Sequence, residues 1–142
     1  MAEPDLIAVA RETIEGFNAG DEKRYRATLA PDVVYDEVGT QRRIEGADAL
    51  AQCWEAWRKA MPDVKGTVTN AVASGDTVVL EITWAGTHTG PLVGPGGTLP
   101  ASGKRQVTRA ALVSMFRGNK IRESHHYFDM MTLLQQLGAV PR

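Results

Sequence analysis

Near the end of the chain, Ser124-His125-His126-Tyr127-Phe128-Asp129 sets two imidazoles, a phenol and a carboxylate directly before the apolar stretch Met130 to Leu137. A polar strand that stops against an apolar helix leaves the carboxylate of Asp129 poorly solvated, which raises its pKa toward the range useful for proton transfer. Asp129 is therefore the first candidate for a catalytic acid/base. The competing role is that of a helix cap, since an aspartate ahead of a helix accepts hydrogen bonds from its unpaired first amides and suits the positive end of the dipole. Strand alternation sends His125, Tyr127 and Asp129 to one face and Ser124, His126 and Phe128 to the other. His125 and Tyr127 then join Asp129 as pocket residues. The diverging histidines argue against a metal site, and no metal is expected.

His88 closes another strand inside Gly86-Thr87-His88-Thr89-Gly90, on the face that carries Ile82 and Trp84. At the mouth of an apolar pocket it could shuttle a proton or donate a hydrogen bond; satisfied by backbone carbonyls it would be structural. Asp36 and Glu37 end a strand at Gly39, and only one of two neighbours on a strand can enter a cavity. Glu37 is expected as a solvated edge charge. Trp54, Trp57 and Trp84 either fill the core or wall a pocket for a flat, greasy ligand. The sequence holds no Gly-x-Ser-x-Gly and no dinucleotide fingerprint, and Gly90 to Gly97 is not followed by the Gly-Lys-Ser/Thr of a phosphate loop.

The elements that must position these residues follow from periodicity. Leu6, Val9, Ala10, Thr13, Ile14 and Phe17 recur at helical spacing and stop at Asn18-Ala19-Gly20; a second short helix from Asp21 carries Tyr25 and Leu29 and ends at Ala30-Pro31. A strand runs over Val33 to Val38, and a third helix over Ala47 to Ala60 with Leu50, Cys53, Trp54, Trp57 and Met61 on one face before Pro62. Strands follow over Val68 to Ala73, Thr77 to His88, Arg105 to Phe116 and Ile121 to Phe128, with Gly90 to Gly97 a loop. Helices first and antiparallel strands afterwards predict an α+β domain, three N-terminal helices packed on one face of a curved sheet with a short C-terminal helix.

The chain has 142 residues and is read as one domain, 1–142. Sixteen basic residues against 17 acidic give a net charge of -1, and no basic run stands out, so nucleic acid is not an expected partner. Cys53 is the one cysteine, which suits a reducing cytoplasm. Met1-Ala2-Glu3-Pro4-Asp5 does not open a leader, and no apolar run approaches the roughly 20 residues that span a bilayer. The expectation is a cytoplasmic protein without a membrane partner.

Several segments together resemble the SnoaL-like polyketide cyclases of the nuclear transport factor 2-like superfamily, whose cone-shaped α+β barrels also include ketosteroid isomerase and limonene epoxide hydrolase. The segments are Ala30-Pro31-Asp32, Gly46-Ala47-Asp48-Ala49-Leu50, Pro62-Asp63, Trp84 to Gly90, Gly118-Asn119-Lys120-Ile121, and Asp129 with Gln136-Leu137-Gly138. The resemblance implies that Asp129 is the acid/base, that Tyr35 faces the cavity, and that the chain forms a homodimer through the outer sheet face, where Glu81 and Arg109 could pair. Leu112 stands where the cyclases carry a second catalytic histidine. Tyr35-Asp36-Glu37-Val38-Gly39 is also similar to a ketosteroid isomerase segment whose aspartate moves the proton, which picks out Asp36.

What this implies is a cofactor-independent enzyme that closes a ring or isomerises a double bond on an apolar, carbonyl-containing small molecule. Asp129 moves the proton, with His88, Tyr35 and His125 as hydrogen-bond partners and Trp54, Trp57, Trp84 and Leu112 shaping the pocket. Two alternatives stay open: epoxide opening by Asp129 and Asp36 as a carboxylate pair, and a non-catalytic domain that binds a hydrophobic ligand or serves as a dimeric interaction module.

Overall fold

A computed structural model describes residues 5–94 and 97–140. The N-terminal stretch read for a leader, apart from Asp5, and two residues of the Gly90 to Gly97 loop lie outside the described residues. Among the described residues four helices, α1 (Leu6–Asn18), α2 (Glu22–Arg26), α3 (Ala47–Ala60) and α4 (Met130–Gln136), accompany eight strands. The strands are β1 (Leu29–Glu37), β2 (Arg42–Glu45), β3 (Lys65–Ser74), β4 (Thr77–Thr87), β5 (Leu92–Gly94), β6 (Gly97–Leu99), β7 (Arg105–Arg117) and β8 (Lys120–Phe128). Six of them form one sheet in the order β2-β1-β8-β7-β4-β3, antiparallel except where β1 runs parallel to β8; β5 and β6 make a separate hairpin. The α+β class and the packing of helices on one face of a curved sheet are those expected.

Alternation sorts the long strands. Val78, Leu80 and Ile82 of β4 and Gln106, Thr108, Leu112, Ser114 and Phe116 of β7 are buried, whereas Glu81, Val107 and Arg109 face outward. The inner face meets α1 through Ala10, Ile14 and Phe17 and α3 through Leu50, Ala51 and Cys53, giving one core. Each of three helices starts on an aspartate whose side chain accepts an amide N–H of the first turn: Asp5 from Ala8, Asp21 from Arg24 and Asp129 from Thr132, each at 3.1 Å.

Three boundaries differ from the sequence reading. The second helix stops at Arg26 and the strand begins at Leu29, so Leu29 to Pro31 are strand rather than helix end. Pro31 is tolerated because the pairing of β1 with β8 is interrupted between Leu29 and Val34, where no ladder needs its missing N–H. Arg42 to Glu45, given no element in the sequence reading, form the edge strand β2, and part of the Gly90 to Gly97 loop forms the β5-β6 hairpin.

Candidate functional site

Between the inner sheet face and helices α1, α3 and α4 lies a cavity of about 80 Å³, measured to the centres of water-sized spheres. That is room for more than one water, and most of its wall is Ile14, Phe17, Met61, Leu112, Phe128 and the indoles of Trp54, Trp57 and Trp84. The polar residues in the wall are Thr13, Tyr35, Glu37, Gln106, Thr108 and His126.

Tyr35, Glu37 and His126 form a connected chain. Tyr35 and Glu37 are two apart on β1 and therefore share a face, and the parallel β8 brings His126 into register with Glu37. All three are buried, Glu37 completely. Trp84 Nε1 lies 3.2 Å from His126 Nε2. An indole N–H only donates, so Nε2 accepts and the imidazole proton sits on Nδ1. Nδ1–H then donates to Tyr35 Oη at 2.7 Å, and the Tyr35 hydroxyl is left to donate to Glu37 Oε2 at 3.2 Å.

Glu37 is held by donors on both oxygens. Oε1 accepts from the Thr40 hydroxyl at 2.5 Å and from Arg42 at 2.6 and 3.2 Å; Oε2 also accepts from Trp57 Nε1 at 3.0 Å and the Cys53 thiol at 3.6 Å. Burial raises the carboxyl, but the hydrogen bonds of Thr40 and Arg42, with the Arg42 charge, more than offset it and leave Glu37 below its ordinary value, ionised. Burial pushes His126 down to about 4 against the opposing pull of Glu37, so the imidazole is neutral at pH 7. Burial likewise holds the Tyr35 phenol protonated, well above its ordinary value.

Asp129 lies elsewhere. It is exposed, absent from the cavity wall, and folded back on α4, where it accepts from the Thr132 amide at 3.1 Å and the Thr132 hydroxyl at 2.6 Å. These bonds, the hydroxyl first, lower its pKa rather than raise it. His125 and Tyr127 share its outward face: His125 pairs with Glu123 at 2.6 Å and Tyr127 is 45% exposed. The division of β8 into two faces holds, but His126 and Phe128 face the cavity. A bulge explains the exchange. Phe116 pairs with Ile121 but Met115 pairs with Glu123, so one extra residue flips the alternation after the buried Ile121.

The other candidates also separate. Asp36 points away from Tyr35 and Glu37, in register with Arg43 and His125, so the expected solvated Glu37 is the buried carboxylate and Asp36 is not. His88 is fully buried but outside the cavity wall, clipped by the Ser102 amide at 3.1 Å and hydroxyl at 2.9 Å. Burial lowers its pKa, with the Leu99 carbonyl opposing. Trp54, Trp57, Trp84 and Tyr35 line the cavity, and so does Leu112, whose register partner on β8 is His126. An imidazole thus enters the cavity one strand away from Leu112. Among the described residues no three His, Cys, Asp or Glu converge as a metal site, and no helix is long and apolar enough to cross a membrane.

Glu37 and His126 were the residues missed, and each had a signal. Glu37 shares its parity with Val33 and Tyr35, and His126 shares its parity with the apolar Phe128.

Comparison with known proteins agrees with this architecture. AclR from Streptomyces galilaeus, provisionally a hydroxylase, superposes with a TM-score of 0.83 at 24% identity over 99% of this chain and 89% of its own. IdmH from Streptomyces antibioticus, provisionally a polyketide cyclase, does so with 0.80 at 26% identity over 95% and 99%. A protein with a ketosteroid isomerase-like fold from Catenulispora acidiphila, solved with trimethylamine, gives 0.76 at 20% identity over 98% and 96%. No protein of curated function is significantly similar in sequence. The sequence profile of the SnoaL-like polyketide cyclases matches residues 7–137, nearly the whole chain, and the chain belongs to that family.

Proposed function

We propose that this protein is a cofactor-independent enzyme that closes a ring or shifts a double bond in an apolar, carbonyl-containing small molecule by proton transfer through His126, Tyr35 and Glu37. The observation that carries the reading is the hydrogen-bonded chain of these three in an otherwise apolar cavity. A ligand that parts Trp84 from His126 frees the Nε2 lone pair. The substrate C–H proton passes to Nε2, the Nδ1 proton to Tyr35 Oη, and the Tyr35 proton to Glu37 Oε2. The C–H electron pair becomes the enolate, and the freed Trp84 N–H can donate to its oxygen. The reverse sequence returns the proton to another carbon. Glu37 is the final acceptor, and Arg42 keeps that acceptor ionised at rest.

The test is α-proton exchange of 2-tetralone in deuterium oxide, followed by proton NMR. The wild type is expected to exceed the buffer rate, His126→Leu to lose about 10²- to 10⁴-fold, and Asp129→Asn to keep its rate within about twofold because it lies outside the cavity. Exchange no faster than buffer would sink the proposal.

A second reading is supported by the same network: the polar groups around Glu37 satisfy one another, which suits a domain that only binds a hydrophobic ligand. Binding of 2-tetralone without exchange would select it. Two-carboxylate epoxide opening is less well supported, because Glu37 is the only acid among the described lining residues. The outer sheet face, where Val72, Val107 and Tyr127 are 52%, 47% and 45% exposed, is the surface for the proposed homodimer. Glu81 pairs with Ala111 and Thr83 with Arg109 there, so the two charges are diagonal neighbours. Sedimentation at micromolar concentration should give a dimer; a monomer would refute it.

A further inference from the structure

Away from Glu37, the cavity wall holds a second polar station. Gln106 of β7 is 2% exposed and lines the cavity, with the buried Thr108 beside it. The Thr108 hydroxyl donates to Gln106 Oε1 at 2.5 Å, and Gln106 Nε2 meets the Met61 sulfur at 3.5 Å. The amide orientation follows from these neighbours, since a thioether offers only a weak acceptor and would repel the carbonyl oxygen. Nε2 carries two N–H bonds, and its one hydrogen-bond partner among the described residues is that sulfur. Glu37, by contrast, receives strong donors on both oxygens. A buried donor left so poorly matched is a loss the fold recovers when a better acceptor arrives.

Its place relative to the proton chain defines the ligand. His126 is in register with Leu112, and Gln106 lies six residues further along β7, a backbone separation of about 20 Å at the usual strand rise. Trp84 stands opposite Thr108 and reaches across to His126, so its indole divides the two stations. No lysine or arginine is among the lining residues described, so a carboxylate at Gln106 would be buried without a counter-charge. A neutral carbonyl fits.

Resting on the reading above, we propose that Gln106, oriented by Thr108, is a specificity-determining residue that binds a second, neutral carbonyl of the substrate at the end of the cavity away from His126. The substrate class is then an apolar molecule with two carbonyl functions, one activated beside His126 and Trp84, the other held by Gln106 Nε2.

The probes are acetophenone, the hydrocarbon cumene of the same shape, and benzoate, with dissociation constants from equilibrium dialysis on the full chain. Wild type is expected to prefer acetophenone over cumene by about 3- to 10-fold, the worth of one neutral hydrogen bond, and to bind benzoate least. Gln106→Met should abolish the preference while leaving cumene affinity unchanged, and Thr108→Val, which frees the amide to rotate, should reduce it. If Gln106→Met does not fold, the Thr108→Val result decides. A preference that survives in the variants, or that disappears in Trp84→Phe and not in Gln106→Met, overturns the assignment and leaves the proton-transfer proposal standing. Failure of all three probes to bind the wild type would overturn this assignment, while 2-tetralone exchange would still report on the proton chain alone.

Discussion

Glu37 and Asp129 are both carboxylates at the end of a β-strand, and both are held below their ordinary values with the hydroxyl of a threonine three residues on, Thr40 or Thr132, as the leading lowering cause; only Glu37 must also overcome deep burial, with the help of the Arg42 charge. Asp129 is exposed and is held by the amide and hydroxyl of Thr132, groups of its own helix start. Glu37 is buried and is held by groups from three places: the β1-β2 turn with Arg42, helix α3 through Trp57 and Cys53, and its own strand through Tyr35. A cap is local and replaceable. An interior anion needs the surrounding fold to be assembled around it, and it can in turn hold other polar groups in place.

The same chemical change at the two sites should therefore give different results. Glu37→Gln removes the charge that Arg42 answers, and breaking a buried pair typically costs about 3–5 kcal/mol; since the Arg42 side chain keeps 24% of its exposure and can partly rehydrate, the lower end is expected. Asp129→Asn leaves an equally good cap and should stay within about 0.5 kcal/mol of wild type. Urea unfolding of both variants checks the pair. Equal losses would mean that Glu37 is no more than a second local contact.

Acid sharpens the contrast further. Unfolded histidine takes up a proton near 6.5, whereas His126 in the fold does so at about 4. Between those values the unfolded chain binds the extra proton, so stability is full above 6.5 and falls as the pH drops toward 4, by about 3 kcal/mol from this residue. His88, also lowered, adds loss of the same sign. Glu37 contributes in a lower window, as pH falls from the unfolded carboxylate value through its own depressed one. Unfolding free energies at pH 7 and pH 4.5 should show His126→Leu losing much of the first slope and keeping the His88 part. An unchanged slope would place a charged or solvated imidazole at position 126.

Much of the frame was legible beforehand, because the apolar periods of α1, α3 and β4 are regular and each identifies its own buried face; β7 is different, since Gln106, Thr108 and Ser114 are on its buried face and Val107 is on its exposed one. The site was legible only in its apolar wall. Trp54 and Trp57 of α3 and Trp84 of β4 sit on those regular elements, where periodicity carries through, and the resemblance supplied Tyr35 of β1 and Leu112 of β7. The polar residues depend on details that a period does not contain. The bulge between Met115 and Phe116 exchanges the faces of β8 and puts His126 where His125 was expected. The edge strand β2 delivers Arg42 to Glu37, and without that partner in view an interior glutamate looks unaffordable. Once Tyr35 is taken as facing inward, alternation alone points to Glu37 rather than Asp36.

The smallest effect concerns the cap itself. If Asp129 serves only to start α4, Asp129→Ala should cost about 1 kcal/mol, as loss of an aspartate cap usually does, and Asp129→Ser should recover most of it. The loss should be confined in place as well as size. Helix α4 contributes Leu133 to the cavity wall, and Gln136 clamps Val107 of β7 by donating to its carbonyl at 2.8 Å and accepting from its amide at 2.6 Å. Weakening the helix start should therefore speed amide hydrogen exchange in α4 and at Val107 while leaving exchange around Tyr35 unchanged. Faster exchange at Tyr35 or His126 in Asp129→Ala would instead mean that the two carboxylates are coupled through β8, and the division between local cap and interior anion would fail.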